Sequence, residues 1–167
     1  MTMQIGGAPG VQYTGTELLQ GKCPSVGTMY TKDGKAYVMC LVAASQNLID
    51  GHLVTIDSGF VVTIVAAGPQ ASNLVTKLGV ARTSVTASAS AYIWVQVYGA
   101  GSVRATASTL PAVRLCMSGA AGLVDDAIAS VSGTIAGLVL TATTAASGLT
   151  ACFIDYPRFD PPSHILS

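Results

Sequence analysis

Charge is the scarcest property of this 167-residue chain, since only 10% of its residues are Asp, Glu, Lys or Arg, against roughly a quarter in an average soluble domain. Eight cations balance eight acids, so the formal net charge is zero. The cations (Lys22, Lys32, Lys35, Lys77, Arg82, Arg104, Arg114, Arg158) are scattered. A chain built this way has no electrostatic footprint for nucleic acid or for an anionic membrane surface. Aromatics are few as well, at 6%, although half the chain is hydrophobic. The apolar character therefore comes from Ala, Val and Ile diluted by Gly, Ser and Thr. Low charge with that much apolar content excludes intrinsic disorder. The length fits one domain with a core of useful size, and the partners it implies are other uncharged protein surfaces.

Targeting and ligation signals are also missing. Met1–Gly7 has neither a basic region nor an apolar stretch, so it does not read as a secretory signal, and synthesis in the cytoplasm is expected. The longest charge-free stretch, 127–154, is rich in Ser, Thr and Gly and lacks Lys/Arg flanks and an aromatic belt, which argues against a membrane span. Four cysteines, Cys23, Cys40, Cys116 and Cys152, include no C-x-x-C pair, and His52 and His164 lie far apart, so no zinc site is expected. Cys40, Cys116 and Cys152 sit in apolar runs and read as buried structural thiols.

What is present is a rhythm of short strand, turn, short strand. Residues 1–27 are Gly-rich and polar, with one helical turn at 16–20, and read as an extended N-terminal arm without a core of its own. Residues 28–31 and 35–42 flank Lys32-Asp33-Gly34, where Asp-Gly supplies the positive φ angles of a tight hairpin. A second turn at Asn47–Gly51 leads to strands at 52–57 and 60–65, and Leu78–Ala81 continues the pattern. The clearest strand is 91–98. Its alternation places Ile93, Val95 and Val97 on one face and Tyr92, Trp94, Gln96 and Tyr98 on the other. Gly99-Ala100-Gly101 is expected to turn that strand into a hairpin with 102–107. Further strands are expected at 112–117, 120–124, 137–144 and 150–155, and a short helix fits 122–134. Tyr156 to Pro162 reads as an extended Pro-containing tail, because proline cannot continue a sheet. The fold class is all-β, a compact antiparallel barrel or sandwich over 28–155, with the arm at 1–27 and the tail at 156–167.

Catalytic constellations are thin. His52 lies near Asp50, Asp57 and Ser58, but Asp50-Gly51 and Ser58-Gly59 are turn signals that account for those residues without catalysis. Asp125-Asp126 with Asp155 or Asp160 falls short of the ligand density of a calcium loop. Gly99-Ala100-Gly101 does not extend to a dinucleotide fingerprint. No enzyme activity, cofactor or metal is expected. The aromatic face of Tyr92, Trp94 and Tyr98, with Tyr13 in the arm and Tyr156 and Phe159 in the tail, is the expected interface, since such rings concentrate at interface centres. A stacking platform for a sugar is the alternative use of the same face.

The segments Tyr30–Tyr37, Leu48–Val54, Leu78–Ala81, Trp94–Gly99 (Val-Gln-Val-x-Gly) and Ala120–Asp125 together resemble the head decoration (cement) proteins of tailed bacteriophages, over roughly residues 28–155. The resemblance implies a structural, non-enzymatic protein that sits as a homotrimer on the outside of the capsid, contacts the major capsid protein and braces the head. A virion-surface glycan- or receptor-binding module, associated with a tail or fibre, is the competing expectation.

Overall fold

A computed structural model describes residues 9–67, 77–86, 91–126 and 134–160. In chain order the elements are β1 (Gln12–Thr14), α1 (Gly15–Leu19), β2 (Met29–Lys32), β3 (Lys35–Val42), β4 (Leu53–Ile56), β5 (Val61–Ile64), β6 (Lys77–Ala81), β7 (Ala91–Ala105), β8 (Leu115–Met117), β9 (Val124–Asp126), β10 (Thr134–Leu140) and β11 (Gly148–Asp160). The all-β class expected from the strand rhythm is the class observed. Among the described residues no helix is long and apolar enough to cross a membrane.

All eleven strands join one sheet, in the order β1-β7-β9-β8-β10-β11-β6-β4-β5-β3-β2, and β7 makes further pairings with β11, β6 and β3. The pairings close two circuits on β7. One runs through β9, β8, β10 and β11, the other through β6, β4, β5 and β3. Pairing is antiparallel except for β3 with β5 and β7 with β9. Val103, Leu115, Leu138, Leu140, Ile154 and Phe159 belong to one buried cluster, and Cys40, Val54, Val62, Ile93 and Val95 to another. Each fully buried Val, Leu or Ile contributes about 1.5–3 kcal/mol.

The longest strand departs from the expected pattern. Gly99-Ala100-Gly101 does not reverse the chain; β7 runs straight through it, pairing first with β3 (to Tyr98) and then with β11 (from Tyr98 to Ala105). The glycines permit a bend within the strand. Gly99 has φ +95°, and a Cβ there would collide with the carbonyl oxygen of Gly34. The buried Gln96 amide donates to the carbonyls of Tyr98, Gly99 and Ala100 at 3.1, 3.3 and 3.0 Å, occupying acceptors at the bend. Long-range pairing on both sides thus overrides a local turn signal.

Two further expectations are corrected. The sheet does not stop at Asp155: β11 continues through Pro157 to Asp160, so the expected tail begins inside a strand, and 161–167 lie outside the described residues. Proline is accommodated at an irregularity where Asp155, Tyr156 and Pro157 stand against Gly137 alone, between the pairs Leu138–Ile154 and Ala136–Arg158. The short helix expected at 122–134 is a strand at β9, and its remainder at 127–133 lies outside the described residues.

Over residues 9–27 the expected extended arm is a strand and a helix laid on the sheet. β1 pairs with β7, Tyr13 opposite Tyr92. Thr14 then caps α1, with its N–H donating to the Glu17 carboxylate at 2.8 Å and its Oγ1 accepting from the Glu17 N–H at 3.3 Å. Residues 1–8 of the arm lie outside the described residues.

Candidate interaction surface

The face of β7 that carries Tyr92, Trp94 and Tyr98 is divided in two by what covers it. Trp94 is 0% exposed, packed in a cluster with Tyr13 and Cys23 of the arm and with Tyr37 and Met39 of β3. The Tyr30 ring centroid lies 5.6 Å from its own. Tyr13 is 7% exposed and Tyr92 is half-buried. Phe159 is 2% exposed and belongs to the main core, opposite Ile135 of β10. Trp94, Tyr13 and Phe159 are therefore interior side chains and take no part in a surface of this fold. A stacking platform centred on Trp94 is excluded by the same burial.

Tyr98 and Tyr156 do face solvent, at 36% and 53% exposed, and a third ring that sequence reasoning passed over, Phe153 at 43%, stands with them. Tyr98 meets Phe153 edge-on (centroids 5.6 Å, 79°) and Tyr156 at a tilt (5.6 Å, 31°). These are the offset and edge geometries that aromatic quadrupoles favour. Alternation on β11 sets Phe153 outward: Thr150, Cys152 and Ile154 are buried, so Ala151 and Phe153 point the other way. That alternation was readable in the sequence.

Tyr156 is presented differently. It has φ +46°, a left-handed conformation uncommon for a non-glycine residue. It is held there by the irregularity opposite Gly137, whose own φ is +75° and whose missing Cβ leaves room for the Asp155 carbonyl. Strain of this kind costs roughly 1–3 kcal/mol and persists where the surroundings over-determine it. Exposed Val139 of β10, directly opposite Phe153, extends the apolar surface, and Leu149 of β11 is also exposed. An apolar groove of about 320 Å³, lined by Met29, Ile56, Phe60, Leu78 and Val97, runs up to Tyr156 and Pro157.

The positions weighed for chemistry have structural occupations. His52 is buried, its Nδ1 accepting the Ile49 N–H at 3.3 Å. Burial, with Arg104 nearby, pushes its imidazole below the ordinary value, so it stays neutral. Asp50 faces Arg82, with Oδ1 to Nη2 at 3.3 Å, and the Arg104 side chain donates to its carbonyl at 3.0 Å. The Asp57 carboxylate accepts the N–H groups of Gly59 and Val61, both at 2.8 Å, closing the β4–β5 turn around Ser58. Asp126 accepts from the Leu110 N–H, and Asp125 from the Asp126 N–H. Among the described residues no three metal-binding side chains come together. All four cysteines are free and buried, and burial pushes the Cys40 and Cys152 thiols up to about 12. Neither a family model nor a curated protein matches this chain.

Proposed function

We propose that this chain is a structural virion protein, a decoration or cement protein that binds the outside of a tailed-phage head as a homotrimer, with the major capsid protein as its partner, and stabilises the shell. In this reading the two strand circuits act as a compact barrel-like body that carries a docking face. The observation that supports it best is the exposed ring cluster Tyr98, Phe153 and Tyr156 with Val139 beside it, on a chain with few charges to keep neighbours apart. The sequence resemblance described above points the same way. Burying such rings against a symmetric shell multiplies a modest contact over many copies. The same two exposed tyrosines support a second reading, a glycan- or receptor-binding module on the virion surface, in which Tyr98 and Tyr156 stack on a sugar.

Quantitative protein composition of particles produced by the genome that encodes this chain tests the first reading. It predicts a copy number comparable with the major capsid protein, together with accessibility to surface labelling. Absence from heads contradicts it, and presence confined to tails at low copy number favours the second reading.

A further inference from the structure

We propose that the concavity between Lys35 and Arg82, on the outer face of β7, is a binding site for a single oxyanion of carboxylate or phosphate type. The proposal stands apart from the virion reading and does not depend on it.

The concavity measures about 550 Å³, and its lining includes Lys35, Tyr37, Arg82, Gln96 and Ser102 but no Asp or Glu. The β3–β7 register, with Tyr37 opposite Gln96, brings the two strands' polar side chains together there. Gly101 has no side chain, and a Cβ at that position would press on the Gln96 amide at 2.7 Å. A glycine in that place makes room for the amide that lines the concavity.

Two cations reach the concavity from separate elements. Arg82 is anchored: Nη1 donates to the Ser102 carbonyl at 2.8 Å, and Nη2 lies 3.3 Å from Asp50 Oδ1. A guanidinium carries five N–H donors, so an arginine held this way retains others. The Lys35 side chain has no hydrogen bond or ion pair with any described residue. Its cross-strand partner is Lys32, so the β2–β3 pairing supplies it no opposite charge. Tyr37 adds a hydroxyl. Burial raises its pKa against the pull of Arg82, which keeps the phenol protonated as a donor. An ammonium, a guanidinium and a phenol in a lining without carboxylates form a donor set, and oxyanions are the ligands that accept from such a set.

The test titrates inorganic phosphate, and separately the blocked side-chain carboxylate N-acetylaspartate amide, into the full-length protein at constant ionic strength. The amide resonances of Ala100, Gly101 and Ser102 are followed. Saturable shifts are expected for at least one probe, with Lys35→Gln weakening binding about tenfold, the loss of one charge-assisted contact. Lys32→Gln, on the same hairpin but outside the lining, should stay within about twofold. A response to phosphate alone assigns a free small anion, and a response to the carboxylate assigns an acidic side chain of a partner; both support the site. Arg82→Lys, with its fold checked by circular dichroism, gives a second loss variant that keeps the charge but not the planar fork. Shifts that never saturate, or that are the same size in Lys35→Gln as in the unaltered protein, overturn the proposal.

Discussion

Trp94 shows how a residue's role depends on what lies over it. The ring is buried among Tyr13, Tyr30, Tyr37 and Met39. Trp94→Ala should therefore destabilise the protein by about 3–5 kcal/mol, the usual result of emptying an aromatic core site. Trp94→Phe should cost much less, because a second aromatic ring still fills most of the site. Urea denaturation of the two variants checks this ordering, and a Trp94→Ala variant of unchanged stability would place the ring at a surface. The alternation that puts Trp94 on the opposite face from Ile93 and Val95 was legible in the sequence. What covers that face was not, because a period of two defines the sides of a strand and is silent about a distant segment such as Tyr13 folding over one of them. The same limit explains Phe159, read as part of an exposed tail, whereas Phe153 was available from the Cys152–Ile154 alternation.

At the scale of elements, local signals succeeded where local physics decides and failed where pairing does. The Asp33-Gly34 hairpin forms as its sequence predicts, with φ values of +52° and +71°, since two residues suffice to specify such a turn. Gly99-Ala100-Gly101 looks equally turn-like, yet the segment before it is paired to β3 and it is itself paired to β11, and those ladders carry the strand through it. Its glycine serves close approach and bending. The two positions should respond differently to alanine. At Gly34, where a Cβ would meet no atom within 4 Å, the substitution should cost about 1 kcal/mol for the left-handed backbone alone. Gly99→Ala adds a collision with the Gly34 carbonyl and should cost more, at least about 1–3 kcal/mol. Equal thermal midpoints for the two variants would mean that β7 does not bend against the β2–β3 turn. Pro157 teaches the same lesson. Proline excludes a regular ladder position, which the sequence reading used correctly, but it does not exclude an irregular one, and the three-against-one mismatch opposite Gly137 supplies that.

Across the whole molecule, the low charge found at the outset is compatible with a fold whose buried strands leave an aromatic surface uncovered. The rhythm of short strands and turns anticipated the all-β body, and composition led to the expectation of neutral partners. It could not anticipate which rings would be exposed, because that depends on the arm covering one half of the β7 face while Tyr98 stays clear. The central claim is that the Tyr98–Phe153–Tyr156 surface docks on a shell. Co-sedimentation of the protein with heads that lack it, comparing the unaltered chain with Phe153→Glu and Tyr156→Asn, tests that claim most directly. Glutamate at 153 would place an unpaired charge in the contact, while asparagine tolerates the left-handed backbone at 156 and removes only the ring. The account predicts saturable binding by the unaltered chain, at least about tenfold weaker binding by each variant, and thermal midpoints within a few degrees of one another. Equal binding by all three proteins, or no binding by the unaltered chain, would contradict it.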